Sequence, residues 1–245
     1  MKMTRERKAL IAGIIGCLLF VAGDFLYAAV GKDQSTETFG LMVRAAYLDM
    51  AAWRMAASIL CGVAGTGLYY VGFHQMYRLL DARLREPRQR KWVKGFRAAY
   101  LTGTVCWAYV HAMFMNTALI FKFVYEVYGD VQAAADIANR VFACNAVPMA
   151  AAFILGDGGL FVVLAVMIWK GMLPLKTTAG RILATLCNPL MSAGVFGNLT
   201  TLLPWPLNQL DCGSESLGHA LVLVLGLLLL REMEKSGGTA DPVKE

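Results

Sequence analysis

The sequence predicts an all-α protein, a bundle of six transmembrane helices in a single domain. Of its 245 residues, 58% are hydrophobic and only 16% are charged, against roughly 25% charged residues in soluble domains. The apolar residues lie in uninterrupted runs, which at about 1.5 Å of rise per residue can cross a ~30 Å hydrocarbon core. The net charge of +6 falls in short loops, which favours a membrane protein over a nucleic-acid-binding one.

Six apolar runs account for the predicted spans. They cover Ala9–Val30, Ala52–Leu80, Ala98–Tyr125, Pro148–Trp169, Arg181–Leu203 and Ser216–Leu230. The first run follows a basic N-terminal segment, as a signal-peptide core would. Its 22 residues exceed the roughly 7–15 of such a core, and no small-residue cleavage site follows. We therefore interpret it as the first membrane helix.

Local features define the other elements. The second run carries two stripes of small residues at four-residue intervals, Ala57/Cys61/Gly65 and Ser58/Gly62/Thr66. Such stripes let helix backbones approach closely. Pro148 suits the first turn of the fourth helix. Phe39–Tyr47 and Gly129–Asn145 are mixed in polarity and are predicted to form one or two short external amphipathic helices, with Gly129–Asn145 either lying on the membrane or entering it.

Basic residues predict the orientation. With six spans and a cytoplasmic N-terminus, 18 of the 23 Lys and Arg residues face the cytoplasm, eight of them between Arg78 and Arg97. This bias follows the positive-inside rule. We expect a multi-pass protein of the bacterial cytoplasmic membrane with both termini cytoplasmic. The domain spans residues 1–235, and the polar tail 236–245 is expected to be disordered.

Sequence motifs give little guidance to the chemistry. The sequence has no CxxC and no HExxH motif, so no metal site is predicted. It has no GxSxG motif either, which argues against a lipase with the usual nucleophilic serine. The sequence leaves any cofactor unknown. Cys144 and Cys212 would both lie at the external face, where a disulfide between them is an open alternative.

Polar residues inside the spans are the candidate site. Each predicted span places at least one such residue in the middle or outer half of the membrane, where polar groups are costly and often functional. The set is Asp24, Arg54, His111, Asn116, Asp157, Asn198 and His219. The alternative reading is that these groups only join helices by hydrogen bonds.

Three of these residues are the candidate catalytic groups. His111 and His219 are suited to proton transfer near neutral pH. Asp157 lies in Gly156-Asp157-Gly158-Gly159, where the glycines weaken the helix and leave space around a carboxylate. In an enzyme, the two histidines would supply acid–base chemistry and Asp157 would orient or share a proton.

The remaining polar residues are candidate ligand-binding groups. Asp24 and Arg54 lie at similar depth on consecutive helices, and form either a structural ion pair or a charged clamp on a headgroup. Trp107 precedes His111 by four residues and shares its helix face, as a stacking wall or as core. Asn116 and Asn198 are ligand contacts or interhelical hydrogen bonds.

Several short motifs resemble a known family. They are Gly23-Asp24-Phe25-Leu26, Trp53-Arg54, the pair Trp107…His111, and Asn139-Arg140 before a helix with a proline near its start. Together they resemble an uncharacterised family of small bacterial multi-pass membrane proteins with a Gly-Asp-Phe/Trp-Leu motif in the first helix. The similarity extends over roughly residues 9–203. Asn188-Pro189 stands where the family pattern has His-Pro. The resemblance implies the membrane fold but no activity.

Three function classes stay open on the sequence. The first is an intramembrane enzyme acting on a lipid, isoprenoid or sterol-like substrate. The second is a small-solute or proton-coupled transporter, a channel or a small-ligand receptor, and the third is a membrane assembly or scaffold protein. The expected partners are membrane lipids and a lipid-like or small-molecule ligand, with no nucleic acid. The sequence does not define an oligomeric state.

Overall fold

Helices make up 84% of the protein, which confirms the predicted all-α class. The computed structural model describes residues 3–31, 34–35, 37–40, 42–205 and 207–235, so the tail 236–245 lies outside the described residues. The α-helices are α1 (Arg5–Ala28), α2 (Ala46–Asp49), α3 (Ala52–Arg83), α4 (Pro87–Tyr128), α5 (Val131–Ala151), α6 (Gly159–Trp169), α7 (Thr178–Leu186), α8 (Pro189–Thr200) and α9 (Ser214–Lys235).

Three smaller elements complete the described chain. A π-helix, Ala152–Gly158, joins α5 to α6, and a 3₁₀-helix, Leu207–Gly213, leads into α9. Strands β1 (Thr38–Phe39) and β2 (Val43–Arg44) pair in an antiparallel hairpin. The hairpin and the short α2 occupy the segment Phe39–Tyr47, so a helix predicted for the whole of that segment is wrong and only its end, from Ala46, is helical.

Five helical segments of the described chain are long and apolar enough to cross a membrane, and a bent pair brings the number to six. The five are Arg5–Ala28, Ala52–Arg83, Pro87–Tyr128, Val131–Trp169 and Leu207–Lys235. The sixth candidate is α7 together with α8, which meet at an angle of 82°. The architecture is that of a membrane-embedded helical protein.

The predicted fourth helix begins too late. Pro148 lies inside α5, and the helix starts at Val131, where the Asp130 carboxylate accepts hydrogen bonds from the backbone N–H groups of Gln132 and Ala133. This N-cap fixes the start of the helix two residues after Gly129. The predicted external segment Gly129–Asn145 is therefore mostly the first part of a long membrane helix, and no separate amphipathic helix forms there.

Two further predicted boundaries are wrong. The basic segment 81–97, predicted as a loop, is almost entirely helical, since α4 begins at Pro87, a residue suited to the first turn. The predicted continuous helix Arg181–Leu203 breaks between α7 and α8. Asn188 is extended in front of Pro189, because the proline ring disfavours helical backbone in the residue before it.

The close packing predicted from small residues is confirmed between α1 and α3. A Cβ atom added to Gly13 would lie 2.5 Å from the Cα atom of Gly72, and one added to Gly65 would lie 2.8 Å from the carbonyl oxygen of Gly16. The Ser58 hydroxyl donates a 2.8 Å hydrogen bond to the Gly23 carbonyl. This contact holds the last turns of α1 against the first turns of α3.

The two ends of the bundle differ. The end of α1 and the starts of α3, α5 and α9 lie at one end, beside the hairpin. The other end carries the basic residues between Arg78 and Arg97. Between them lies a layer of buried apolar side chains that includes Leu10, Phe73, Met76, Phe96 and Leu223. This layer closes the middle of the bundle below the candidate site.

Candidate functional site

A cavity of about 210 Å³ lies between α1, α4, the π-helix and the start of α9. Its apolar wall is largely aromatic and comprises Phe20, Tyr27, Ala28, Trp107, Val110, Phe114, Met115 and Phe153. Its polar lining comprises Asp24, His111, Cys212, Glu215, Ser216 and His219. The cavity therefore combines an apolar surface with a concentrated set of acidic and imidazole groups.

The first acid–histidine pair is Asp24 with His111. The Asp24 Oδ1 atom lies 3.9 Å from Nδ1 of His111, which is too long for a hydrogen bond. The other oxygen of Asp24 accepts a 2.7 Å hydrogen bond from the Ser216 hydroxyl. Gly62 makes room for the imidazole, since a Cβ atom there would lie 2.5 Å from the His111 Cβ. Phe20 stacks on the His111 ring at 5.1 Å.

The second pair is Asp157 with His219, and it lies deeper. Asp157 Oδ1 is 3.0 Å from Nε2 of His219, and both side chains are at least 97% buried. Despite this short distance, neither atom has a hydrogen-bond partner of acceptable geometry. Glu215 completes the group: one ligand atom from each of the three residues lies within 4.8 Å of the others.

Local helix geometry brings this acidic group together. Glu215 and His219 are four residues apart near the start of α9, so they share a helix face. Asp157 lies in the π-helix. Such π-helical turns are rare in proteins overall but common at functional sites. The glycine-flanked Asp157 predicted from sequence thus coincides with irregular backbone.

Aromatic side chains fix the walls of the cavity. His219 makes edge-to-face contacts with Tyr69 at 5.3 Å and with Trp107 at 5.8 Å between ring centroids. Trp107 and His111 both line the cavity, so the face that they were predicted to share is confirmed.

A pair of tyrosines lies beside the cavity at the end of α1. Tyr27 packs against Tyr47 of α2, with ring centroids 5.1 Å apart. Burial raises the pKa of the Tyr47 hydroxyl, since the phenolate would lose its hydration. Tyr47 therefore stays neutral at physiological pH.

Three predicted ligand-binding residues lie elsewhere. The described lining of the cavity does not include Arg54, Asn116 or Asn198. Asn116 and Asn198 are exposed on the outer surface of the bundle, and Asn198 donates a hydrogen bond to Gly194 within its own helix. Neither asparagine lines the cavity, and their role in ligand binding stays a prediction.

The expected pairing of Asp24 with Arg54 does not form among the described ion pairs. Arg54 Nη2 donates a 2.6 Å hydrogen bond to the Ala29 carbonyl, beyond the end of α1. This carbonyl lies outside the helix and has no intrahelical donor. Asp24 lies more than a helical turn earlier in α1 and has Ser216 and His111 as its neighbours.

The cysteines are chemically separate from one another. All six are free in the described chain, so the open alternative of a Cys144–Cys212 disulfide is not realised. Cys144 is exposed on α5, whereas Cys212 lines the cavity.

Two site residues were missed by the sequence reasoning. The predicted sixth helix starts at Ser216, and Glu215 therefore fell just outside it. The signal that could have found Glu215 is its spacing to His219, since an acid and a histidine at i and i+4 face the same way on a helix. No pattern marks Ser216 as the partner of Asp24, because the two residues are 192 positions apart.

Fold and site together define a class: a helical membrane-embedded protein with a cavity of carboxylate and histidine side chains inside the bundle. The chain belongs to the family of unknown function DUF6796, which it matches over residues 1–233. This confirms the predicted membership of an uncharacterised family. No curated protein and no solved structure matches the chain.

Proposed function

We propose that this protein is an intramembrane enzyme that acts on the polar end of a lipid-like substrate. The observation that carries the proposal is one aromatic cavity whose lining includes Asp24, His111 and His219, with Asp157 paired to His219 behind that lining. Asp24 with His111 and Asp157 with His219 lie in different environments, and such divergence is how one site holds both an acid and a base. Polar groups that only joined helices would not need a shared cavity.

The shape of the cavity indicates the substrate class. Its volume of about 210 Å³ is below the range of roughly 300–1,000 Å³ for sites that enclose a drug-sized molecule. It fits a polar headgroup with its first carbons, and the rest of the chain would extend between helices into lipid. The wall of Tyr27, Phe114 and Phe153 suits the apolar part of such a molecule.

The residues receive distinct roles. His111 takes or gives a proton at the substrate, Asp24 orients the imidazolium by charge, and Ser216 holds Asp24 in place. The 3.9 Å separation between Asp24 and His111 would shorten on substrate binding, as catalytic hydrogen bonds are commonly long in the free enzyme. The acidic group of Asp157, Glu215 and His219 borders the deep end of the same cavity.

The buried layer below the site argues against a channel. Phe73 and Met76 are fully buried, and the described core closes the bundle between the cavity and the basic end. A path across the membrane would have to open this packed layer. A pocket accessible from one side is what an enzyme or a receptor requires.

A transporter is the second candidate, and one observation favours it. The 82° bend between α7 and α8 resembles the discontinuous helices that carry binding sites in secondary transporters. The break at Asn188 and Pro189, however, is not part of the described cavity lining. We therefore place this candidate behind the enzyme.

The proposed location is the cytoplasmic membrane of a bacterium, with the basic end in the cytoplasm and the cavity in the outer half of the bilayer. Gln132 and Arg85 test this orientation because they are exposed near opposite ends of the bundle, at the start of α5 and just before α4. In a Cys144→Ser background, a membrane-impermeant maleimide should label Gln132→Cys in intact cells, whereas Arg85→Cys should react only after lysis. Labelling of Arg85→Cys alone in intact cells would reverse the orientation.

Lipid turnover tests the function. Purified protein in nanodiscs of bacterial lipid extract should convert at least one lipid, as detected by mass spectrometry. His111→Gln should slow conversion by about 10²–10⁴-fold, the usual contribution of general acid–base catalysis.

A matched pair of variants localises the reaction. Val110→Phe fills the cavity and should abolish conversion and lipid retention. Val105→Phe adds the same volume at a side chain that is 77% exposed on α4 and should leave both intact. Failure to bind or convert any lipid would refute the proposal, and transfer of an unaltered solute across proteoliposomes would establish the transporter instead.

A further inference from the structure

The strongest unexplained feature is the group formed by the buried Asp157 and His219 with the half-buried Glu215. We infer that these three side chains form a binding site for a divalent first-row metal ion. The inference deepens the proposed function, since it assigns a cofactor class to the deep end of the same cavity. The three ligand atoms lie within 4.8 Å of one another. An ion with bonds of about 2.0–2.2 Å to nitrogen and oxygen ligands fits such a spacing after small adjustments.

Unpartnered polar atoms point to a missing ligand. Asp157 Oδ1 and His219 Nε2 are buried, lie 3.0 Å apart, and have no hydrogen-bond partner. Leaving such atoms unpaired is costly, and buried charges are normally paired or bound to metals. Asp24 provides the contrast, because its carboxylate accepts a hydrogen bond from the neutral Ser216 hydroxyl, whereas the side-chain hydrogen-bond contact of Asp157 is with another acid, Glu215.

The scaffold holds the three residues in a way that suits metal binding. Glu215 and His219 are related by one helical turn on α9, and the π-helix supplies Asp157 from the facing element. The imidazole is held by edge-to-face contacts with Tyr69, Phe73 and Trp107. Ligand positions are therefore fixed by packing and do not depend on a mobile loop.

Donor type and charge select the ion. One imidazole nitrogen and two carboxylates suit Zn²⁺, Mn²⁺ or Fe²⁺, and the absence of thiolate from the group disfavours soft ions. Two carboxylates would neutralise a dipositive ion, which reduces the cost of holding charge away from water. Three protein ligands leave a coordination position free, as in catalytic zinc sites. Because Glu215 and His219 also line the cavity, that position would face the substrate.

Metal analysis of the full chain tests the inference. The protein, carried on a tag without histidine, is stripped with a chelator, refilled with Zn²⁺ and freed of excess ion. Elemental mass spectrometry should then find one zinc per chain. Co²⁺ in place of Zn²⁺ should give visible absorption bands of a mixed nitrogen–oxygen site.

Conservative variants identify the ligands. Asp157→Asn, Glu215→Gln and His219→Gln should each weaken Zn²⁺ binding by about 100-fold or more, since changes merely behind a metal ligand already cost roughly 10–100-fold. Matched controls are Asp24→Asn, His111→Gln and His74→Gln. The chain has three histidines, so His111→Gln and His74→Gln replace the two that are not proposed as ligands. Each of the three control variants should keep one zinc.

The outcomes separate this inference from the proposed function. Metal binding is measured without substrate, so loss of zinc in the ligand variants supports the site even if no lipid is converted. A refilled wild-type protein that holds less than a tenth of an equivalent overturns the inference, as does full zinc retention by all three folded ligand variants. Should a variant fail to fold, the wild-type stoichiometry and the Co²⁺ spectrum decide.

Discussion

The two acid–histidine pairs of the cavity differ in how their polar atoms are satisfied. Asp24 and His111 are 3.9 Å apart, and their side chains retain 25% and 10% exposure. Asp157 and His219 are 3.0 Å apart and nearly fully buried. The Ser216 hydroxyl donates a hydrogen bond to the Asp24 carboxylate, whereas Asp157 lies beside another acidic side chain, that of Glu215.

The difference teaches what each pair can do. A pair that borders the cavity and has its own hydrogen-bond donor is complete within the protein and can exchange a proton with a bound molecule. A buried pair beside a further acid is incomplete, since two carboxylates at short range require a cation or a proton between them. Glu215 and Ser216 are adjacent at the start of α9, so the same helix start contacts both acid–histidine pairs.

Replacing the two histidines alike should give the largest contrast. His219→Leu removes the imidazole that lies 3.0 Å from the Asp157 carboxyl, and leaving a buried polar group unsatisfied costs about 1–3 kcal/mol in the free energy of unfolding. His111→Leu should cost less, about 0.5–1.5 kcal/mol, since Asp24 keeps its bond to Ser216. Chemical unfolding in mixed micelles with chelator present measures both values. Equal losses would show that the two pairs are energetically equivalent.

A pair of glycine variants in α3 tests whether packing positions His111. Gly62→Ala would force a Cβ atom to 2.5 Å from His111 Cβ, and such overpacking costs about 1–3 kcal/mol. Gly67→Ala meets no atom within 4 Å and should be neutral or slightly stabilising, because alanine is the better helix former. Thermal unfolding compares the two. If Gly67→Ala were as damaging, helix-wide effects and not the contact with His111 would explain the loss.

The same pairs show what sequence reasoning can predict. Apolar run length predicts the helical class, and the cost of polar groups in hydrocarbon singles out His111, Asp157 and His219, which all lie at or beside the cavity. Depth along a helix follows from residue number. Which neighbour a side chain faces is harder to predict, because it depends on how the helix is rotated in the bundle. Asn116 is about 140° around the helix from His111 at 100° per residue, and it lies on the outer surface.

Other features needed long-range contacts. The expected Asp24–Arg54 pair rested on equal depth alone, and the competing partners, Ser216 and the Ala29 carbonyl, are brought close only by tertiary packing. Glu215 was lost through an error of two residues at a helix start, where boundaries are least certain. The π-helix around Asp157 has no sequence period of its own, although its three neighbouring glycines mark a weak point in the helix.

The smallest expected effect is the coupling between Asp24 and Arg54. Asp24→Asn weakens the hydrogen bond with Ser216, and Arg54→Gln removes the bond to the Ala29 carbonyl. Because these two residues have no partner in common, the losses in the free energy of unfolding should add within about 0.3–0.5 kcal/mol. A double-mutant cycle by chemical unfolding measures this coupling.

A second double-mutant cycle, between two residues in direct contact, serves as the positive control for energetic coupling. Asp24→Asn combined with Ser216→Ala removes two groups that are in contact at 2.7 Å, and contacting residues couple by about 0.5–3 kcal/mol. The second change should cost little once the first has weakened the bond. If instead the Arg54 cycle showed the larger coupling, Asp24 would respond to the charge at the start of α3, and the first acid–histidine pair would not be complete within its own contacts.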